Sequence, residues 1–223
     1  MRADTIVSRM LLYYITDRKG FAGGESEQRT ALLRRIADAA RAGVDYIQLR
    51  EKDLARKELE LLAREAVSAA HENSAVTKLL VNSHSDIAIA LDADGVHLPA
   101  GFPPADEIRD YWAGNSNREP LIGVSAHSVE DVRQAESGGA SFAVLAPIFE
   151  KAATGAKGLG LKVLRLACSP SSRQQSVFTV LALGGVTLAN ARSCIDAGAA
   201  GIAGVRLFQQ GDVAETVRRL LSH

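Results

Sequence analysis

The segment Gln48-Leu49-Arg50-Glu51-Lys52-Asp53 packs two cations, two carboxylates and an amide into six residues. Strand alternation sends Gln48, Arg50 and Lys52 to one side and Leu49 and Glu51 to the other. Two cations on one side suit an anionic substrate, and the guanidinium of Arg50 offers a two-pronged fork to phosphate or carboxylate. The plain alternative is a solvated charge run. Farther along, Gly123-Val124-Ser125-Ala126-His127 ends a strand-like run with a hydroxyl and an imidazole, groups that bind or transfer protons near neutral pH. Asn82 closes another such run. His97 lies inside a run, where a structural role competes with a functional one. His84 follows Asn82 within reach of the same region, while His71 and His223 read as surface residues.

Two glycine-rich stretches suggest an anion site. Leu183-Gly184-Gly185-Val186-Thr187 and Gly198-Ala199-Ala200-Gly201-Ile202-Ala203-Gly204-Val205 each run from an apolar segment toward a helix. With no side chains at Gly184, Gly185 and Gly204, the backbone N–H groups of these residues and of the adjoining Val205 can approach a phosphate, aided by helix dipoles. Tight turns alone would also call for glycine. Between Pro147 and Leu159, the residues Lys151, Thr154, Gly155, Lys157 and Gly158 suit a mobile lid carrying a cation.

These residues need elements to hold them, and the chain alternates short apolar runs with amphipathic ones. The runs are 11–16, 45–49, 78–82, 95–98, 121–125, 142–146, 178–183 and 201–205. Helices are expected at 25–42 (ended by Gly43), 55–71, 85–91, 104–112, 129–137, 160–167, 188–197 and 213–221. Continuous apolar strands alternating with helices argue for a parallel sheet covered by helices. Eight such units are the number that closes a (β/α)8 TIM barrel, whose active sites lie where the strands end. An open doubly wound sheet is the rival architecture. The polar stretches 115–120 and 169–176 read as loops at the opposite face, so the whole chain, 1–223, is expected to form one barrel domain.

The 223 residues suffice for one large core. Hydrophobic residues make up 47%, against disorder. Zero formal net charge argues against a broad nucleic-acid interface. No apolar run approaches membrane-spanning length, and Met1–Met10 lacks the apolar core of a signal peptide. Cys168 and Cys194 form no CxxC and have no histidine at metal spacing, so they read as reduced packing residues of a cytoplasmic protein.

Taken in order, Tyr14-Ile15-Thr16-Asp17, Gln48-Leu49-Arg50-Glu51-Lys52-Asp53, Ala93-Asp94-Gly95-Val96-His97-Leu98, Gly123-Val124-Ser125-Ala126-His127-Ser128, Pro147-Ile148-Phe149 and Leu183-Gly184-Gly185-Val186 resemble the thiamin phosphate synthases and their TenI-type thiazole tautomerase relatives. The likeness runs from about Tyr13 to Phe208 and implies a TIM barrel. For a synthase it implies coupling of a pyrimidine methyl diphosphate to a thiazole phosphate with Mg2+. Gln48, Arg50, Lys52 and Asn82 would then serve the diphosphate, the two glycine stretches the thiazole phosphate, and Ser125 the reacting groups.

The synthase pattern places metal-binding carboxylates where this chain has Ser83 and, near the second position, Phe102. Leu98-Pro99-Ala100-Gly101-Phe102 and Phe149-Glu150, followed by Lys157-Gly158, are similar to the tautomerase branch, which aromatises a carboxylated dihydrothiazole phosphate without metal. Against that branch, Arg50-Glu51-Lys52-Asp53 keeps the full synthase form; Arg206 stands where the family as a whole commonly has a phosphate-binding serine. The expectation is therefore a tautomerase without metal or cofactor. His127 would be its acid/base, with Ser125 beside it, and Gln48, Arg50, Lys52, Asn82 and Lys157 would hold substrate. A Mg2+-dependent synthase is the alternative, and a non-catalytic thiazole or thiamin phosphate binder the second. The partner expected is a small phosphorylated thiazole, with no nucleic acid and no membrane; a homodimer is left open.

Overall fold

The computed structural model describes residues 9–101, 104–150, 155, 157–170 and 177–222. Eight parallel strands close a barrel in chain order. They are β1 Leu11–Ile15, β2 Tyr46–Leu49, β3 Lys78–Asn82, β4 Gly95–Leu98, β5 Leu121–Ala126, β6 Phe142–Leu145, β7 Val180–Ala182 and β8 Gly201–Gly204. Closure comes from pairing of β8 with β1, Leu12 opposite Ile202 and Tyr14 opposite Gly204. The helices are α1 Glu25–Ala42, α2 Arg56–His71, α3 Ser85–Ala90, α4 Ala105–Ala113, α5 Val129–Ser137, α6 Gly160–Cys168, α7 Ala191–Asp196, α8 Arg206–Gln209 and α9 Val213–Leu221. Among the described residues no helix is long and apolar enough to cross a membrane.

Period-two alternation along the strands builds two apolar layers. Leu12, Tyr14, Ile47, Leu49, Leu79 and Val81 pack outward against the helices. Tyr13, Ile15, Leu80, Phe142, Val144, Leu181 and Ala203 fill the barrel. Their aromatic rings interlock: Tyr13 meets Phe142 edge-on at 5.4 Å, and Tyr46 stacks on Phe142 at 5.3 Å. Gly123 makes room for this layer. A Cβ there would collide with the Phe142 ring and lie 2.8 Å from His97 Nδ1.

The elements fall close to their expected spans, and α1, α5 and α9 match the expected ones at both ends. Strand β7 is shorter than the apolar run 178–183, and α7 shorter than 188–197, because apolar character continues beyond the hydrogen-bonded core of each element. Two pieces were not expected: a 3-10 turn at Arg18–Gly20 and the four-residue helix α8. Neither is long enough to show a period. Helix α8 is pinned by Gln209, which accepts from Tyr14 Oη at 3.1 Å and donates to the Asp17 carbonyl at 2.6 Å.

Asp94, just before β4, organises the opposite end of the barrel. It accepts from the Leu79 backbone N–H at 2.9 Å and pairs with Lys78, Arg118 and His71. His71 is thus a surface residue bonded to a buried carboxylate. His223 lies outside the described residues. Both cysteines are buried and free, and burial pushes each thiol up to about 11.

Candidate active site

The strand ends converge on a cavity of about 1530 Å³. Gln48, Arg50, Lys52, Asn82, Ser125, His127, Gly184, Gly185, Gly204 and Val205 all line it, together with His97. Lys157 does not; it is exposed and outside the lining. Just after it the chain is tied back to β6, with Leu159 N–H donating to the Pro147 carbonyl and Gly160 N–H to that of Ile148. His84 sits at the N-terminal boundary of α3, makes no side-chain capping bond and also stays outside the lining. Phe102, Lys151 and Thr154 lie outside the described residues.

An ionic cluster centred on the buried pair Arg18–Glu51 sets the Arg50 side of the mouth. Arg18, following β1, donates to both Asp53 oxygens at 2.7 Å, to Glu51 at 3.1 Å and to Glu25 at 2.6 Å. Thr16 donates to Glu51 at 2.6 Å and accepts the Arg50 backbone N–H at 2.9 Å. Glu51 and Asp53 are therefore held by Arg18, while Arg50 and Lys52 turn to the cavity. Burial pushes the Glu51 carboxyl upward despite the bonds from Thr16 and Arg18. The hydrogen bonds from Arg18 and Lys19 hold Asp53 well below the usual carboxylate range.

His127 follows β5 and its Nδ1 lies 2.9 Å from the carbonyl oxygen of Ala146. A carbonyl only accepts, so Nδ1 carries the proton and, in the neutral ring, Nε2 keeps a free lone pair. The His127 backbone N–H donates to Asp131 at 2.7 Å, fixing the turn into α5, which Ser128 caps. His127 is thus placed as a base at the cavity wall.

His97 is different in kind. It is buried in the barrel, with Tyr13 Oη 3.1 Å from Nδ1 and Ser125 Oγ 2.9 Å from Nε2. Desolvation, helped by the charge of Arg50, pushes its pKa down to about 3, so it is neutral at working pH. Tyr13 also accepts from Gln48 at 2.9 Å.

Across the cavity, Gly184 and Gly185 turn at φ +93° and +69°. A Cβ on Gly185 would lie 2.7 Å from Phe149 Cβ and 2.9 Å from the Glu150 carbonyl oxygen, so glycine is required twice over. Among the described residues the backbone N–H groups of Gly184, Gly185 and Val205 donate to no protein acceptor. Arg192, Arg206 and Arg219 add charge on this side. Arg206, at the position where the resemblance suggests a serine, therefore borders the cavity.

The cavity wall contains five cations and no carboxylate among the described residues. Nor does any cluster of three or more histidine, cysteine or carboxylate side chains with metal-holding geometry occur among them. Mg2+ prefers hard oxygen donors, usually carboxylates combined with phosphates. Ser83, at φ 64° beside Asn82, offers only a hydroxyl. The donor set present does not fit a protein-held Mg2+.

Tyr13, Arg18, Arg192 and Arg219 escaped the sequence reading. Tyr13 was findable, since alternation puts it on the face of Ile15, and a buried tyrosine hydroxyl needs a partner. Arg18 gave no local signal of its link to β2, because Glu51 and Asp53 lie 33 and 35 residues away.

The chain matches the family model for thiamine monophosphate synthase over residues 12–208. It is 39% identical over 199 residues to the putative thiamine-phosphate synthase 2 of Aquifex aeolicus, covering 88% of this chain and 96% of that protein. It is 36% identical over 212 residues to the putative thiamine-phosphate synthase of Geobacter sulfurreducens, covering 95% and 92%. The thiamine phosphate pyrophosphorylase structure from Pyrococcus furiosus superposes with a TM-score of 0.74 at 27% identity, covering 95% of this chain and 93% of that one. The barrel, the strand-end cavity and the sequence match together place this chain in the thiamine monophosphate synthase family.

Proposed function

We propose that the chain is a metal-independent tautomerase that aromatises a carboxylated dihydrothiazole phosphate of the thiamin pathway. The observation carrying this reading is His127: one ring nitrogen is committed to the Ala146 carbonyl, and the ring borders a cavity rich in cations and free of carboxylates among the described residues. In the proposed reaction Nε2 removes a proton from one position of the ring and returns it at another, so the imidazole ends as it began. The free N–H groups of the glycine turns hold the phosphate, and Arg50 holds the carboxylate with its guanidinium fork. Ser125 stands beside the reacting ring.

A second reading, coupling of a pyrimidine diphosphate to a thiazole phosphate, is favoured by the synthase names of the relatives and by the intact Gln48-to-Asp53 segment. One experiment separates the two. The purified protein is given the carboxylated dihydrothiazole phosphate alone with EDTA, and separately its aromatic product with pyrimidine methyl diphosphate and Mg2+. The tautomerase reading expects aromatisation in the first reaction, seen by ultraviolet absorbance, and no coupling in the second. Coupling without aromatisation would overturn it.

A further inference from the structure

The group of Gln48, Tyr13, His97 and Ser125 crosses the barrel interior and is not used by the acid/base step. Its hydrogen bonds have a direction that follows from chemistry. The Gln48 side-chain nitrogen faces Tyr13 Oη at 2.9 Å, and an amide nitrogen only donates. Tyr13 Oη is therefore the acceptor in that bond, which leaves its single hydrogen available to donate to its other partner, His97 Nδ1, at 3.1 Å. A ring that accepts at Nδ1 and is neutral must carry its hydrogen on Nε2, which lies 2.9 Å from Ser125 Oγ. Ser125 then accepts from His97, and its own hydrogen is free for the cavity that it lines.

We propose that Gln48, Tyr13 and His97 form a one-way hydrogen-bond chain that fixes Ser125 as a donor toward the substrate, so that this position selects a ligand presenting an acceptor, a carboxylate oxygen above all. Tyr13 and His97 are positioning residues in this scheme; neither needs to touch the substrate. Burial keeps His97 neutral, and an uncharged ring has only one N–H to place. Gly123 leaves room for the ring: a Cβ would come within 2.8 Å of Nδ1. The Phe142 ring at 6.2 Å and the Tyr13 ring at 5.8 Å flank it. Turning the Gln48 amide over would run the whole chain backward, with Nδ1–H donating to Tyr13 and Ser125 donating to His97. The serine would then offer lone pairs to the cavity and repel a carboxylate.

The carboxylated ligand rests on the proposed tautomerase reading, whereas the direction of the chain does not, and the test keeps them apart. Nitrogen-15 NMR of the ligand-free protein reads the His97 tautomer directly. Protonation at Nε2 is expected, and a ring protonated at Nδ1 would overturn the proposal. Calorimetry then measures affinity for the carboxylated thiazole phosphate in wild type, Tyr13→Phe, Ser125→Ala and the double variant. Tyr13→Phe should weaken binding by about tenfold, the scale of one hydrogen bond, and by nothing further once Ser125 is alanine. Equal losses in both backgrounds would show that Tyr13 acts through packing alone and would reject the chain. If Tyr13→Phe does not fold, Gln48→Met removes the first donor and is read in the same way. An Nε2-protonated ring in a protein that binds no carboxylated thiazole would leave the direction standing and reject the carboxylate as its target.

Discussion

His127 has one ring nitrogen committed to the Ala146 carbonyl and the other left over, which is the arrangement a proton carrier needs. His97 has both nitrogens committed and is driven neutral by burial. The two histidines therefore separate by environment, although both line the same cavity. His127→Gln retains an amide that can still bond the Ala146 carbonyl but supplies no base. Turnover should fall by roughly 10²–10⁴-fold, the usual weight of general acid/base catalysis. Affinity for the thiazole phosphate should change little, since the phosphate rests on the glycine turns. Steady-state kinetics with calorimetry checks both halves, and near-wild-type turnover would remove His127 from the mechanism.

Among the elements, the ends of β1 and β2 are joined through Arg18. Its guanidinium is buried, as is the Glu51 carboxylate it meets. Removing one partner of such a pair strands the other charge at a cost of about 3–5 kcal/mol. Arg18→Met should therefore lower unfolding stability on that scale in urea titrations. It should also weaken substrate binding, because the β2 end that carries Arg50 and Lys52 loses its tether. Unchanged stability would mean that Thr16 alone orders this corner. At the other end of the barrel Asp94 joins β3, β4 and α2. Burial pushes its carboxyl upward, but the bonds from His71, the Leu79 N–H and Lys78 outweigh this and hold it below its ordinary 3.8. A depressed carboxylate contributes fully above its unfolded pKa and loses that contribution as pH falls through the folded one. Wild type should thus lose stability on acidification below about pH 4 more steeply than Asp94→Asn, which should be less stable at neutral pH. Parallel denaturation curves of the two proteins across pH 3–7 provide the check.

For the molecule as a whole, the glycine turns after β7 and β8 should couple ligand binding to global stability. Anything that binds the folded barrel alone stabilises it by mass action. Inorganic phosphate at ten times its dissociation constant should add about 1.4 kcal/mol, or roughly 3–6 °C in Tm for a chain of this size. Thermal scans should show the shift retained in Arg50→Gln/Lys52→Gln and lost in Gly185→Ala, whose Cβ would press on Phe149 and Glu150. The opposite pattern would move the phosphate to the β2 end.

The sequence by itself determined the barrel and most of its strand ends. Apolar runs of strand length separated by amphipathic helices are local patterns, and local patterns survive without coordinates. It also showed that Gln48, Arg50, Lys52, Asn82, Ser125 and His127 would sit where strands stop, and all six line the cavity. Tertiary structure alone decided what those residues can do. Arg18 neutralises Glu51 and Asp53 from a distant turn, so a mixed-charge segment presents only its cations. A carbonyl from β6's end fixes the tautomer of His127, and a tyrosine from β1 occupies His97. Lys157 is held away from the cavity it was expected to serve, and Arg219 joins it from the last helix. Each depends on groups far apart in sequence meeting within hydrogen-bond reach, and barrel closure brings them there.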